Sequence, residues 1–475
     1  MKKHLLKFMQ HSLIYGVSNI LSRTVTFFLL PLYLAYLSAS DYGILEISNT
    51  FFSLLFVILL LNIDSGLFKL FYDKTNQFTQ EEKVGTVFSF YLIYGLIVSL
   101  ILILISPFIS NILYGNKSFI YITNLVIISA FLQGIVQLYL ALYRMKEKPL
   151  NYCIFNVMLT IILALLNILF VVYFKKSFVG IREASVIGIG FIAFILFSLN
   201  RIKIYFNKLV LKKVLNLCLP LAGSGLASWV FNLTDRYMIR VLYNQSSALK
   251  EVGVYGLSAK YASIVQFILV FPFMMAWSNL MFTYQHEKNA KEIYAKVLDL
   301  LIVASMFIYL FISMFSKQIL NVLTDNVEFS TAYTVIPFLA LSYIIYAFYM
   351  VFTVGVTLME KTKFMMYSDI IAAVFNIFLN FLLIPNYGFL GASISTLVSI
   401  NIRTGLLYIF SQRCYHIPYK IKTNTIIVLI SFFSAFYCNQ FADNLLLKLL
   451  LLFSVATIIL IISPIRIIHL LRRKQ

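Results

Sequence analysis

Charge is scarce in this chain, and acidic charge is scarcer than basic charge. Only 12% of the 475 residues are charged, and 18 Asp and Glu stand against 38 Lys and Arg. Soluble domains carry about 25% charged residues, so the composition excludes an ordinary soluble protein. With 61% hydrophobic residues and a mean hydropathy of +0.90, the chain is predicted to be an integral membrane protein.

Cysteine and histidine are too few and too scattered for a redox or metal centre. The four cysteines stand singly in or beside apolar segments, which argues against a disulfide framework and a zinc site. The five histidines form no cluster of ligands. The sequence therefore predicts no metal, no cofactor and no catalytic residues.

Apolar runs fill nearly the whole chain. A hydrocarbon core of ~30 Å requires about 20 apolar residues for each crossing. Fourteen such spans can be placed, which leaves almost no sequence for a soluble domain. The predicted spans are residues 11–36, 43–63, 86–110, 119–142, 151–174, 179–199, 216–241, 253–277, 297–316, 331–358, 364–384, 389–411, 424–441 and 445–464.

The excess positive charge lies mainly on one side of the predicted membrane. Alternate connections hold 26 Lys and Arg on one side and seven on the other. This bias predicts that both termini lie in the cytoplasm. Topology and contact with anionic membrane lipids thus account for 33 of the 38 basic residues, and nucleic-acid binding has no support. The seven on the other side are Lys117, Lys175, Lys176, Arg182, Lys250, Lys317 and Lys448.

Several sequence features recur after 213 residues, in spans or connections of corresponding rank. This pattern indicates a duplication whose unit is six spans. Because six is even, both copies enter the membrane in the same direction, as in a parallel repeat. The matched pairs are Asn19 with Asn232, Arg23 with Arg236, Tyr42-Gly43 with Tyr255-Gly256, Glu147-Lys148 with Glu360-Lys361, and Leu166-Asn167 with Leu379-Asn380.

The predicted fold is an all-α polytopic membrane protein with about 14 transmembrane helices. Two parallel six-helix lobes are expected, an N-lobe at 1–205 with spans 1–6 and a C-lobe at 206–415 with spans 7–12. Residues 416–475 carry spans 13 and 14. These two spans have no counterpart in the repeat and are expected to form an appended C-terminal helix pair.

Arg23 and Arg236 lie deep in apolar runs, each four residues after an asparagine, Asn19 or Asn232. Residues spaced by four share one face of a helix. An arginine inside a bilayer costs several kcal/mol unless it faces a water-filled cavity or a partner. The two stripes are therefore expected to line one polar cleft as substrate-binding, lumenal residues.

Lys260 and Arg403 are the other deeply placed cations. A cavity with several cations and few carboxylates favours an anionic ligand, which low dielectric would hold strongly. The alternative is that each cation is paired with a carboxylate and ties two helices together. The carboxylates available for such pairs are Asp41, Glu46, Asp64, Asp235 and Asp369.

Three groups of motifs resemble a known family. They are Pro31–Gly43, then Pro220–Gly223 with Asp235–Tyr237 and Gly253–Gly256, and finally Asn376–Ala392. In this order they resemble the polysaccharide-exporting flippases, the Wzx-like branch of the multidrug/oligosaccharidyl-lipid/polysaccharide (MOP) exporter superfamily, whose fold is MATE-like. The similarity covers the whole chain.

The resemblance implies a flippase of the bacterial cytoplasmic (inner) membrane. Its substrate would be an undecaprenyl-pyrophosphate-linked oligosaccharide repeat unit, moved to the outer leaflet by alternating access for O-antigen or capsule synthesis. Polysaccharide polymerase or export components would be its partners. In that scheme Arg23, Arg236, Lys260 and Arg403 contact the pyrophosphate or acidic sugars. Candidate sites for coupling to an H+ or Na+ gradient, or for ion pairing, are Asp41, Asp64, Asp235 and Asp369.

Three other functions compete with this interpretation. A lipid II flippase for peptidoglycan also requires a cationic cavity. A multidrug and toxin extrusion antiporter for organic cations should have an acidic cavity, which the charge balance disfavours. A membrane polysaccharide polymerase should carry catalytic groups in a long outer loop, whereas the predicted outer connections are short.

Overall fold

The computed structural model describes the backbone of residues 2–73, 78–243, 246–441 and 444–463. Within these ranges, the side chains of residues 2–13, 17, 19, 20, 23, 26, 224, 227, 228, 231, 232 and 441 are outside the description. The described chain is α-helical and contains no β-strand. Its helices are α1 Lys2–Tyr36, α2 Ala39–Leu60, α3 Ile63–Tyr72, α4 Gln80–Leu104, α5 Ser106–Tyr114, α6 Ile120–Met145, α7 Pro149–Ile168, α8 Ser177–Leu199, α9 Lys208–Leu242, α10 Ala248–Ala262, α11 Phe271–Thr283, α12 Ala290–Met314, α13 Ser316–Leu323, α14 Ile336–Leu358, α15 Lys363–Cys414, α16 Ile421–Phe441 and α17 Leu445–Ile462.

The predicted membrane spans all lie on these helices. Among the described residues, 11 helical segments are long and apolar enough to cross a membrane. One of them, α15, is 52 residues long and bends at Gly388, so it carries two predicted spans. The first and seventh predicted spans lie on α1 and α9. The all-α polytopic fold is thereby confirmed.

Three helical spans contain local irregularities. Leu61 and Asn62, both with left-handed φ angles of 49° and 53°, separate α2 from α3. Wider π-helical segments extend α7 at Leu169–Tyr173 and join α10 to α11 at Gln266–Val270. Such interruptions inside membrane helices are tolerated where neighbouring helices satisfy the displaced backbone groups.

The chain divides into two compact units, Met1–Arg240 and Val241–Gln475, here called unit 1 and unit 2. The division falls after Arg240 rather than near residue 205, where the repeat places the lobe boundary. The reason is the packing of α9, whose Trp229 Nε1 donates to Thr50 O and Ser53 Oγ on α2, both at 3.1 Å. The predicted first helix of the C-lobe thus packs with unit 1, and the appended pair at 416–475 falls in unit 2.

The ends of α6 and α14 have the same geometry. Glu147 and Glu360, which are 213 residues apart, have left-handed φ angles of 51° and 55°. In each case the N–H of the following lysine donates to the carbonyl oxygen five residues earlier, at 2.9 Å and 2.8 Å. This is the hydrogen bond that closes a helix at a left-handed residue. The local structure therefore repeats with the same offset as the sequence.

A second pair of turns repeats with the same offset. Lys175, before α8, and Gly388, inside α15, have φ angles of 51° and 53°. In each unit an acidic side chain from the first turn of another helix holds the turn. Asp41 on α2 accepts a 3.0 Å hydrogen bond from the Ser177 hydroxyl, and Glu251 on α10 accepts one of 3.2 Å from the N–H after Gly388.

The C-terminal pair α16 and α17 is fixed to α12 and α13 by buried polar contacts. Asn424 Nδ2 on α16 donates to Asp299 Oδ1 at 2.8 Å. Lys448 on α17 is fully buried, and its ammonium donates to Met314 O at 2.7 Å and Gln318 Oε1 at 3.0 Å. The pair is therefore an integral part of the packing of unit 2.

Candidate functional site

In unit 1, one stretch of α2, residues 45–49, receives polar contacts from α5, α8 and α9. Its apolar neighbours are buried, so these polar groups must find partners inside the protein. The Ser48 hydroxyl, for example, lies 2.7 Å from the Tyr114 hydroxyl at the end of α5. The contacts of this stretch with arginines define the candidate site.

Arg236 on α9 forms an ion pair with Glu46 on α2. Arg236 Nε lies 3.0 Å from Glu46 Oε2, and the two side chains are only 12% and 4% exposed. The structure thus shows the paired arrangement that the sequence left open as the alternative to a cation facing an open cleft. A buried pair of this kind is held by its geometry, because each charge has lost most of its hydration.

Arg182 is a second buried arginine, which the sequence analysis assigned to an outer connection. It is 4% exposed, and its Nη2 atom donates to Leu45 O at 3.0 Å and to Asn49 Oδ1 at 2.7 Å. The charge of Glu46 also acts on Arg182. The signal that was available is its position inside the predicted span 179–199, which the count of basic residues in connections overrode.

Arg240 on α9 binds the end of α5. Its Nε and Nη2 atoms donate to Tyr114 O at 3.3 Å and 2.8 Å, and its guanidinium packs against Gly115. Arginine commonly caps the free carbonyl groups at a helix C-terminus. Arg182, Arg236, Arg240 and Glu46 are together called the arginine cluster below.

The remaining residues of the predicted cationic stripes are only partly described. The side chains of Asn19, Arg23 and Asn232 lie outside the described residues, so their lumenal role stays a prediction. Lys260 is half-buried near the C-terminal end of α10. Its part in substrate binding also stays a prediction.

Arg403 in unit 2 is paired with Asp369. Both lie on α15, on either side of the bend, and Arg403 Nε is 2.7 Å from Asp369 Oδ1. The Tyr349 hydroxyl donates to the same oxygen at 3.1 Å. The Arg403 guanidinium lies 4.2 Å from the centre of the Tyr349 ring and 5.6 Å from that of Tyr346. The two tyrosines were not identified from the sequence, because tyrosine is frequent throughout the chain.

The other candidate carboxylates differ in their surroundings. Asp64 Oδ2 accepts a 3.1 Å hydrogen bond from Gln137 Nε2 and lies 3.9 Å from Arg144 Nη2. Asp41 holds the turn before α8, as described above. Asp235 on α9 is 2% exposed. Asp41, Asp64 and Asp369 thus all have structural partners, and a role in ion coupling stays a prediction for all four aspartates.

Comparison of the sequence with known families gives two matches. The family described as "Polysaccharide biosynthesis protein" matches residues 34–271, which is half of the chain, and the family described as "MatE" matches residues 220–382. The first match includes all four residues of the arginine cluster. No curated protein sequence matches the chain.

Solved structures of two transporters share the fold. The lipid II flippase MurJ, in an inward closed conformation, is 16% identical, with a TM-score of 0.72 over 94% of this chain and 98% of that chain. A multidrug resistance MATE family transporter of the MOP superfamily, in an inward-facing conformation, is 12% identical, with a TM-score of 0.67 over 84% and 93%. At these identities the likeness establishes the fold alone.

Proposed function

Because the chain belongs to the polysaccharide biosynthesis protein family and has a MOP-superfamily fold, we propose that it flips undecaprenyl-pyrophosphate-linked oligosaccharide repeat units. The units would move from the cytoplasmic to the outer leaflet for O-antigen or capsule synthesis. The chain itself is a multi-pass membrane protein of a transporter superfamily. The direction of transport and the substrate are the proposed part.

The arginine cluster is the observation that carries the proposal. Three arginines, Arg182, Arg236 and Arg240, converge on α2 and α5 inside unit 1, where Glu46 and Asp235 are the buried carboxylates of α2 and α9. Cations therefore outnumber carboxylates in a region shielded from water. Guanidinium groups bind phosphate through paired, charge-assisted hydrogen bonds, which supports a pyrophosphate as the ligand.

Glu46 sets the way in which such a ligand binds. Its carboxylate occupies the guanidinium of Arg236, so an incoming phosphate must compete with it for the same donors. Exchange of one anion for another costs less than desolvating a bare arginine, because the guanidinium stays paired throughout. The substrate can then be released when Glu46 returns, which a flippase requires.

Reconstituted transport tests this function. Full-length protein in liposomes should move an undecaprenyl-pyrophosphate-linked oligosaccharide carrying a fluorescent sugar across the bilayer, measured as loss of accessibility to an external quencher. Arg236→Lys retains the charge but not the forked geometry, and it should slow transport at least tenfold. Transport by the wild-type protein at the rate of protein-free liposomes would refute the proposal.

A lipid II flippase is the second candidate, since it also handles a lipid-linked pyrophosphate. The two functions separate genetically. Depletion of the protein should remove surface polysaccharide while leaving cells viable. Loss of viability with accumulation of peptidoglycan precursor would favour the lipid II function instead.

A further inference from the structure

Asp369 in unit 2 is unusually exposed for a carboxylate on an apolar helix. Its side chain is 43% exposed, whereas that of its partner Arg403 is 14% exposed. A charged side chain within a membrane span faces water or protein rather than lipid. The exposed side of Asp369 therefore borders water, and a water-filled face of a transporter is where its ligand passes.

The surroundings of Asp369 hold it in one orientation. Arg403 Nε and the Tyr349 hydroxyl both bind Oδ1, at 2.7 Å and 3.1 Å. Among the described residues these are the hydrogen bonds to Asp369, so Oδ2 is the oxygen that a ligand would meet. The rings of Tyr346 and Tyr349 are nearly parallel, at 11°, with centres 6.0 Å apart.

The charge of this group excludes two classes of ligand. Arg403 neutralises Asp369, so an organic cation gains little by binding there. A phosphate would be repelled by the exposed carboxylate, and Arg403 directs its Nε atom toward Asp369. What remains is a neutral ligand that can use both hydrogen-bond donors and acceptors.

We infer that Asp369, with Tyr346 beside it, forms a subsite for the neutral sugar rings of the substrate. The inference rests on the proposed function and assigns the carbohydrate part of the ligand to unit 2. Asp369 Oδ2 accepts hydrogen bonds from adjacent sugar hydroxyls. Tyr346 is half-buried, whereas Tyr349 is 1% exposed, so Tyr346 offers the aromatic surface against which the apolar face of a pyranose ring packs.

Two lipid probes separate sugar recognition from pyrophosphate recognition. They are undecaprenyl pyrophosphate, and the same lipid carrying a neutral disaccharide. Binding of each to the full-length protein in nanodiscs would be measured for the wild type and for Asp369→Asn and Tyr346→Leu. Tyr367→Leu is the matched control, since Tyr367 is an exposed tyrosine on the same helix, two residues from Asp369.

The expected result is selective. Asp369→Asn and Tyr346→Leu should each weaken binding of the glycosylated lipid about tenfold and leave binding of undecaprenyl pyrophosphate within twofold of wild type, as a lost charged hydrogen bond would. The control should change neither. Equal binding of the two lipids by the wild type, or equal weakening of both by the variants, would overturn the subsite.

Two further outcomes are assigned in advance. If Asp369→Asn does not fold because Arg403 loses a buried partner, Tyr346→Leu decides the inference alone. If the wild-type protein binds neither lipid, the proposed function fails, and that result is distinct from binding without sugar selectivity.

Discussion

The fourth and tenth spans end on a left-handed glutamate at equivalent positions, Glu147 and Glu360, and the turns at Lys175 and Gly388 are equivalent as well. The buried charges differ. Unit 1 contains the arginine cluster, which is net cationic, whereas unit 2 contains the neutral pair of Arg403 and Asp369. The duplicated units have kept the turn geometry and have not kept the charge.

Residues at equivalent positions make the difference explicit. The positions 213 residues after Glu46 and Arg182 are Ala259 and Ser395, and the position 213 before Arg240 is Phe27. Conversely, Asp369 and Arg403 correspond to Asn156 and Gly190. Both units need the same turns in order to fold, but a charge is required only where a ligand or a helix end uses it. We therefore expect changes at the charges to act on one unit and changes at the turns to act on both.

Arg236→Ala should have the largest effect. It removes a buried partner of Glu46, so the free energy of unfolding should fall by about 3–5 kcal/mol, and export should fall to background. Export of surface polysaccharide and thermal unfolding in detergent measure the two effects.

The double variant Arg236→Met with Glu46→Leu is its control. It removes both charges, which usually restores stability at a buried pair. Export should nevertheless stay lost, because the cation that binds the substrate is absent. Normal export by this double variant would show that the pair serves the structure alone.

Gly388→Ala should have the next largest effect. Gly388 combines φ of 53° with ψ of −131°, which a residue with a Cβ atom rarely adopts, and an added Cβ would meet Glu251 and lie 3.2 Å from Tyr243. The expected loss is about 3 kcal/mol of unfolding free energy. Lys175→Ala at the equivalent, exposed turn of unit 1 should change it by less than about 0.5 kcal/mol. Equal losses would mean that the two turns are under the same constraint.

Lys448→Met should have a smaller effect, confined to unit 2. The fully buried ammonium satisfies Met314 O and Gln318, and its loss leaves those groups to find new partners, which costs about 2 kcal/mol. Hydrogen exchange followed by mass spectrometry should show faster exchange in α12, α13 and α17. Faster exchange in the helices of unit 1 would contradict the assignment of the C-terminal pair to unit 2.

Glu147→Gly and Glu360→Gly should have the smallest effects, and they should be stabilising. Each glutamate holds a left-handed conformation that glycine adopts without steric cost. The expected gain is about 1 kcal/mol for either variant, measured by thermal unfolding. A gain at only one of the two positions would contradict their structural equivalence.

Much of the fold was predictable from the sequence. All fourteen predicted spans lie on helices, and the 213-residue offset found in motifs such as Glu147-Lys148 reappears in the backbone geometry. The site was predictable only in part. Arg236 was identified, but its pairing with Glu46 was one of two alternatives, Arg182 was assigned to a connection, and Arg403 was expected to contact the substrate rather than Asp369.

The sequence by itself determined the membrane topology and the duplication. Each span must be apolar along its own length to enter a bilayer, so hydropathy records it locally and without reference to neighbours. Only the tertiary structure decided which carboxylate each arginine meets and that α9 packs with unit 1. Those outcomes depend on residues more than a hundred positions apart brought together by helix packing, such as Arg236 with Glu46, and spacing along one helix carries no information about them.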